Sequence, residues 1–302
     1  MSNLTITMGT DPEVFFVTGQ PQNVIPAAVV YRKVGYESPI NLPTGRIIAD
    51  GAAMELQPEA TLGVPEMLEN LAALIRWGDD VCTAYASETS RITRDGPNVA
   101  FWPEVPIDLD WCKQDPDLAV FGCDPDQSAW GEECRPATID ASKHPWRYAG
   151  CHIHLGVLGE PNYFRAEGQM HTNIKALDRT VGLASMVIAD GNDHRRRGIY
   201  GRPGIYRHQP HGMEYRTPSN MILRSPKWMG FIFEIAVATV GLVSDGVYPE
   251  LQAVIPDEAL VWTLRSGNLD SAKEHYSRLA SVFGLPSLPL VEPVNWRVEW
   301  LT

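Results

Sequence analysis

Apolar and polar positions alternate with period two through several separated stretches of this chain. Residues 4–8 and 13–18 read as strand, interrupted by Gly9-Thr10-Asp11-Pro12. Residues 24–31 and 45–56 also read as extended, and 39–43 as a loop between two prolines. The same short period returns at 152–157 and at 212–216, the latter running into a Thr-Pro-Ser-Asn turn. From Pro65 to about Ala86 the period lengthens to that of a helix. Met67, Leu68, Leu71, Leu74, Ile75 and Val81 fall on one face, with Pro65 in the first turn, where its missing N–H is no loss. Further helices are expected over 162–188, ended by Asp190-Gly191-Asn192, and over 227–244 and 270–283. The span 193–209 reads as a loop with many arginines. Residues 95–147, rich in Pro, Asp, Trp and Gly, read as short strands and long loops. Strands and helices follow one another without a βαβ rhythm, which predicts an α+β fold with an antiparallel sheet. The pattern contains no long linker and no solenoid repeat. The expected organisation is one domain over 1–302 with a loop-rich insertion at about 95–147. A five-residue echo of Gly9–Glu13 at Gly122-Cys123-Asp124-Pro125-Asp126 is too short to argue for duplication.

The extended stretches carry the chemistry. Asp11 and Glu13 flank a proline. Glu55 interrupts the apolar run Ala52-Ala53-Met54-Glu55-Leu56, and His152 and His154 follow Gly150. Glu214 and Arg216 lie in Glu214-Tyr215-Arg216. On a strand, residues two apart point to the same face, about 6.6 Å apart from two rises of ~3.3 Å. Strands of this kind placed side by side would line one sheet face with carboxylates and imidazoles. Buried together, such groups need cations, because unpaired buried charge is too costly. Each segment alone has an ordinary reading: a turn with solvated acids, an edge strand turning Glu55 to water, a polar sheet face, or a surface ion pair of small worth. Proline within the first segment implies an edge or bulge, and bulges re-aim side chains near active sites.

Charge sharpens the picture. The chain has 302 residues and a formal net charge of −12, so its overall field repels polyanions and disfavours nucleic acid as a partner. Against that background Asn192-Asp193-His194-Arg195-Arg196-Arg197-Gly198, with Arg202 and Arg207, is a dense basic cluster. Taken alone it is a solvated loop or an RNA contact. Next to Glu214 it suits phosphate oxygens, which arginine binds in bidentate fashion. Acids, histidines and arginines together suit a hard-cation site handling a nucleoside triphosphate, Mg²⁺ preferring oxygen ligands shared with phosphate. No GxxxxGK[ST] loop and no protein-kinase signature is present.

The remaining composition bounds the setting. Hydrophobic residues make up 44% and charged residues 21%, as in a globular protein with a sizeable core. Five cysteines without a CxxC pair predict a reduced, cytoplasmic protein. Residues 1–7 have no basic region and no apolar run of a signal peptide. The apolar stretch 229–243 carries Glu234 and reads as a core helix rather than a membrane span.

The order of these motifs resembles a known family. GxDPE near the start, ELQP next, GxHxH mid-chain and GxEYR after the arginine-rich stretch are similar to the carboxylate–amine ligases of the glutamine synthetase and γ-glutamylcysteine synthetase superfamily. The closer likeness is to the phage-type COOH–NH2 ligases, type 2. The resemblance runs from about Gly9 to Asn220. It implies a curved antiparallel sheet backed by helices, with the catalytic groups in the concave face. It implies an ADP-forming reaction in which ATP phosphorylates a carboxylate and an amine then displaces phosphate. Carried over by motif, Asp11, Glu13, Glu55, His152 and Glu214 would hold Mg²⁺, or Mn²⁺ in its place. Glu13, Glu55, Glu214 and Arg216 would carry catalysis. His152, His154, Arg195, Arg197, Arg207 and Arg216 would contact the nucleotide phosphates or the substrate. Two departures stand out: the first acid is Asp rather than Glu, and His154 stands where some relatives have Asn. Asp50 and Asp124 are candidate bases for the amine. The resemblance also implies small-molecule or peptide substrates, the cytoplasm (a host's, for a phage protein), no membrane, and room for a homo-oligomer.

Two other readings compete. A metallohydrolase would hold Zn²⁺ on His152 and His154 with a carboxylate; a zinc site from Cys123, Cys134, His152 and His154 has irregular spacing. A non-catalytic protein would keep the fold and bind nucleotide without turnover. The aromatic segments at 101–103, 110–111 and 144–146 read as core or interface. The residues name neither the carboxylate nor the amine, which could belong to an amino acid, a polyamine, a cell-wall peptide or a protein side chain.

Overall fold

The structure is a computed structural model in which residues 4–18, 20–30, 38–88, 97–114, 127–131, 139–160 and 162–302 are described. In the first half the strands are β1 (Ile6–Thr10), β2 (Glu13–Thr18), β3 (Gln20–Ile25), β4 (Ile40–Leu42), β5 (Gly45–Asp50), β6 (Ala53–Pro58), β7 (Pro97–Ala100) and β8 (Glu104–Pro106). In the second half they are β9 (Gln127–Ser128), β10 (Trp146–Tyr148), β11 (Ile153–Val157), β12 (Ile205–Gln209) and β13 (Gly212–Tyr215). One sheet has the order β1-β11-β13-β12-β9. A second has the order β3-β2-β6-β5-β4, with β7 also on β2, and β8 pairs with β10. Among the described residues every strand pair is antiparallel, as the sequence predicts.

The two main sheets are continuous at Asp11-Pro12, where the chain leaves β1 and enters β2. Met8 and Thr61 exchange both backbone hydrogen bonds (2.8 and 2.9 Å) across this seam. The Leu56 N–H donates to the Pro12 carbonyl and the Glu13 N–H to the Gly150 carbonyl, each at 2.9 Å. Pro12 has no N–H to donate, so it is tolerated at the point where the ladder changes partner. The hydrogen-bonded surface thus runs from β4 through β5, β6, β1/β2, β11 and β13 to β12, and the chain changes partner strand at the proline.

Side-chain alternation then sorts the two faces. Ile153, Leu155, Val157, Met213 and Tyr215 join a large apolar core with helices Val64–Glu88, Gln169–Leu177, Leu183–Ala189 and Pro226–Ser244. The opposite parity carries His152, His154, Glu214 and Arg216. Helix Pro226–Ser244 is long and apolar enough to cross a membrane by composition. In this fold Trp228, Ile232, Ile235, Ala236 and Val240 are buried in the core while Glu234 is exposed. Its start is fixed by Ser225, whose hydroxyl accepts from the Lys227 N–H at 3.2 Å, followed by Pro226 at the first helical position. A smaller apolar cluster, with Phe15, Val17, Ala53, Val105 and Ile107, sits on the acid-bearing side of β2 and β6 beyond Glu13 and Glu55.

Several expectations change. The extended stretch 24–31 ends at Pro26, whose fixed φ opens a helical turn at Ala27–Val30; residue 31 lies outside the described residues. The supposed loop at 39–43 contains edge strand β4, paired through Ile40 and Ile47. The stretch 45–56 is a hairpin turning at Gly51, whose φ of 56° favours glycine. The helix expected over 162–188 begins at Gln169 after Gly168 and contains a π-turn at Asp178–Gly182. The arginine-rich span is not a loop: it forms helix His194–Ile199 and strand β12. The insertion at 95–147 supplies β7 to the second sheet. Helices Tyr248–Val254, Asp257–Ser266 and Trp296–Leu301 are additional. The echo at 122–126, with Asp124, Cys123 and also Cys134, lies outside the described residues.

Candidate active site

Strand register explains the convergence of acids that are far apart in sequence. Across the first sheet Gly9 faces His154, His154 faces Glu214, and Glu214 faces Arg207. Directly paired residues share a face, so His154, Glu214 and Arg207 form one row, with no side chain at Gly9 to fill it. Across the second sheet Glu13 faces Glu55, and Glu55 faces Ile48, two residues before Asp50. Asp11 stands at the seam between the rows. Two groups of three result. Asp11, His154 and Glu214 each offer a ligand atom, all within 4.8 Å of one another, and Glu13, Asp50 and Glu55 do the same.

Glu13, Glu55 and Glu214 are buried, so the open-turn and water-facing readings of these segments do not hold. β6 is flanked by β2 and β5, not an edge, which is why Glu55 has no solvent face. Glu13 is held on all sides. One carboxylate oxygen accepts from the Gly150 N–H (2.6 Å) and the other from the Tyr200 hydroxyl (3.0 Å), while its carbonyl accepts from the Asn220 amide (2.9 Å). Gly150 has no room for a side chain: a Cβ there would lie 2.5 Å from His152 Nε2 and 2.8 Å from the Arg196 guanidinium. Gln57 donates to Glu55 and Gln209 to Glu214. Arg216 pairs with Glu214 and donates to the Tyr200 hydroxyl at 2.9 Å.

The two histidines divide their contacts. His152 Nδ1 lies 2.9 Å from one Asp11 oxygen and 3.4 Å from Glu214, and His154 Nε2 lies 3.2 Å from the other Asp11 oxygen. His154, rather than His152, completes the compact ligand group with Asp11 and Glu214. His154 also stacks on His211, with ring centroids 5.3 Å apart.

The arginines separate. Arg207 reaches to 3.8 Å of Glu214. Arg195 and Arg197, expected at the phosphates, are engaged elsewhere. Arg195 lies over the Trp146 ring (3.7 Å) beside Glu104 (3.3 Å), and Arg197 forms an ion pair with Asp193 (2.9 Å). Arg196 is buried and caps the Thr217 carbonyl at 2.8 Å and the Arg216 carbonyl at 3.3 Å. Helix His194–Ile199 therefore braces the end of β13 instead of presenting a cationic loop. Sequence periodicity misses this because a buried arginine and an exposed one look alike in a string of arginines.

Electrostatics separate the two acid groups. Burial pushes Asp50 up to about 6, with the Glu13 charge adding to it. Burial also raises Glu55 well above the usual carboxylate range, helped by the Asp11 and Glu13 charges. Burial opposes ionisation of Asp11 and Glu214 as well, but charge outweighs it. His152 and His154 hold Asp11 below its ordinary value, and Arg216 does so for Glu214. His154 is shifted down by burial and up by Asp11, with a net rise. The group Glu13, Asp50 and Glu55 is thus short of positive charge. Asp11 Oδ1 and His154 Nε2 are buried without an aligned hydrogen bond despite their ionic neighbours. Oxygen-rich, charge-deficient groups of this kind fit hard divalent cations.

A cavity of about 700 Å³ opens beside the first group, with Asp11, Glu55, His154 and Glu214 at its base and Arg46 and Arg207 among its walls. Tyr200, Gln57, Gln209 and Arg46 were not expected at the site, and Asp50 was expected as a base rather than as a ligand. Gln57 and Gln209 had a signal, since they stand two residues from Glu55 and Arg207. Tyr200 had none.

Residues 141–243 match the family described as Phage phiEco32-like COOH.NH2 ligase-type 2, a span of about a third of the chain holding His152, His154, Glu214 and Arg216. This is the family that the motif order resembles. No curated protein matches the chain. Two solved structures are distantly similar. GmaS without ligand has a TM-score of 0.40 and 12% identity over 94% of this chain and 71% of its own. A GmaS/ADP complex has a TM-score of 0.38 and 12% identity over 98% and 72%.

Proposed function

We propose that this chain is an ATP- and Mg²⁺-dependent ligase that joins a carboxylate to an amine through an acyl phosphate. The observation that carries the reading is the pair of ligand groups, Asp11/His154/Glu214 and Glu13/Asp50/Glu55, on the polar sheet face beside Arg216 and a cavity of about 700 Å³. The family match over 141–243 supports the same chemistry.

A carboxylate repels nucleophiles and has no good leaving group, so it must be activated. In the first step its oxygen attacks the γ-phosphorus, and the bond to the ADP oxygen breaks. In the second, the amine nitrogen attacks the acyl carbon, phosphate departs, and the amine gives up a proton. Divalent cations on the two groups would supply the charge neutralisation that phosphoryl transfer needs. The chain's own residues do the rest. Arg216, buried and tethered by Glu214 and Tyr200, is the fixed positive group for developing phosphate charge. Arg207 lines the cavity nearby. Gln57 and Gln209 orient the acids they touch. Asp50 lies in the second ligand group, which favours a cation-holding role over that of a base for the amine.

The zinc-hydrolase reading finds less support. His152 and His154 address different oxygens of Asp11, and five carboxylates dominate the donor set, which is oxygen chemistry rather than the nitrogen and sulfur preferred by zinc. The test is a phosphate-release screen over pools of carboxylates and amines, with mass detection of the condensed product. Release that requires ATP, Mg²⁺ and both substrates is expected. Hydrolysis by EDTA-resistant, zinc-loaded protein would reject the ligase.

A further inference from the structure

We propose that Tyr200 is a positioning residue that ties the two ligand groups together, and that delivering its hydroxyl is the purpose of the arginine-rich helix. The inference rests on the ligase reading in so far as Glu13 is a cation ligand. The Tyr200 hydroxyl donates to Glu13 at 3.0 Å and accepts from the Arg216 guanidinium at 2.9 Å. The other arm of that guanidinium holds Glu214. Glu214 belongs to the first ligand group and Glu13 to the second. One line of contacts, Glu214–Arg216–Tyr200–Glu13, therefore connects them.

A phenol suits this place for a reason of charge. A direct ion pair between Arg216 and Glu13 would neutralise the carboxylate and compete with a divalent cation for it. The hydroxyl passes a hydrogen bond between them without adding charge. With the Gly150 N–H on the other oxygen, it holds the Glu13 carboxylate in one orientation.

The surroundings hold the ring in place. Tyr200 follows helix His194–Ile199, and its N–H donates to the Arg196 carbonyl at 2.7 Å. Its ring lies 5.1 Å from the Arg196 guanidinium and 5.4 Å from that of Arg216, and its centroid is 5.9 Å from that of His152 in a tilted arrangement. The helix itself is tied down by Arg196 on the Thr217 carbonyl, and Arg197 closes its first turn on Asp193. Three consecutive arginines here serve three local contacts, and the residue they deliver to the acids is the tyrosine.

Tyr200→Phe removes only the hydroxyl and keeps the ring between the guanidinium groups. The test compares Y200F with wild type in three measurements: Mn²⁺ binding by calorimetry in the absence of nucleotide, the melting temperature in EDTA, and the kcat and KM of phosphate release. Outer ligand-orienting contacts typically change metal affinity or activity by roughly 10–100-fold. The expected result is Mn²⁺ binding weakened by about tenfold or more, a fall in kcat, and a melting temperature in EDTA lowered by only a few degrees, the cost of a lost buried hydrogen bond. Mn²⁺ binding equal to wild type overturns the inference and leaves the ligase intact. A loss of binding matched by a collapse of the melting temperature also overturns it, since the role is then structural. Wild type that neither binds Mn²⁺ nor turns over ATP rejects the underlying reading, and the inference with it.

Discussion

Replacing Asp50 with Asn should make the cation-free protein more stable and the cation-loaded protein less so. Asp50, Glu13 and Glu55 bring ligand oxygens within 4.8 Å of one another. At an effective dielectric constant of about 20, two unit charges at that distance repel by roughly 3–4 kcal/mol. A second route gives a similar size. The Asp50 carboxyl is pushed from its ordinary 3.8 to about 6 by burial and by Glu13, which corresponds to about 3 kcal/mol at ~1.4 kcal/mol per pKa unit. The folded-state value is raised, so the protonated carboxyl's stability advantage is fully present below about pH 4. It is lost as pH rises through about 6. Asn, which never ionises, keeps that advantage at every pH.

Thermal melts in EDTA at pH 4 and pH 8 give the first readout. The wild type and D50N should melt together at pH 4. At pH 8 the variant should melt higher by on the order of 5 °C, from ~3 kcal/mol in a chain of this size. Adding Mn²⁺ at pH 8 gives the second readout. Wild type should rise by mass action, since the cation binds the folded state, whereas D50N should rise much less. A variant no more stable than wild type at pH 8 in EDTA, or one with the full Mn²⁺ response, refutes the assignment of Asp50 to a charge-deficient cation site.

The other predictions rest on the same contacts. Mn²⁺ affinity of wild type should climb across pH 5–7 as protons leave Asp50, with the raised Glu55 carboxyl adding to the rise; a flat titration between pH 5 and 7 contradicts it. Glu55→Gln should lower phosphate release by about 10²-fold or more while keeping the fold, because the raised carboxyl is replaced by a neutral amide of the same shape. Glu214→Gln should lower both turnover and melting temperature, since it leaves the buried Arg216 without its acid. Tyr215→Phe should cost about 1–3 kcal/mol in denaturant unfolding, because the buried Asp178 loses the hydroxyl that donates to it at 2.6 Å.

Much of the site was legible because period-two spacing is a geometric rule. His152/His154 and Glu214/Arg216 each had to share a face, and the antiparallel pairing then placed Glu13 against Glu55 and His154 against Glu214. Register was the hidden quantity. It selects His154 over His152 for the compact ligand group, and it brings Asp50 next to Glu55 through a hairpin that sequence alone read as a continuous strand. The arginine-rich span failed for a different reason. Charge density suggested a phosphate clamp, but the buried backbone carbonyls at the end of β13 needed donors, and Arg196 supplies them. Tyr200 was invisible because its position depends on how that helix packs, a long-range contact with no local pattern.

The change of partner strand at Pro12 connects these observations. A flat sheet would carry Asp11 and Glu13 in one line, about 6.6 Å apart, each facing its own neighbour across the ladder. Here β1 pairs with β11 while β2 pairs with β6, so the two acids, two residues apart, belong to different rows of side chains. Asp11 meets the imidazoles and Glu214, and Glu13 meets Asp50 and Glu55. The first group carries its own positive charge in the histidines and Arg216, so its acids stay ionised. The second has little, so burial and mutual repulsion raise the Asp50 and Glu55 carboxyls, and a cation bound there would relieve both. Proline at the junction therefore does more than end a strand. By denying the ladder one donor it lets the chain change sheets between two ligands, and that change divides one run of acids into two unlike groups.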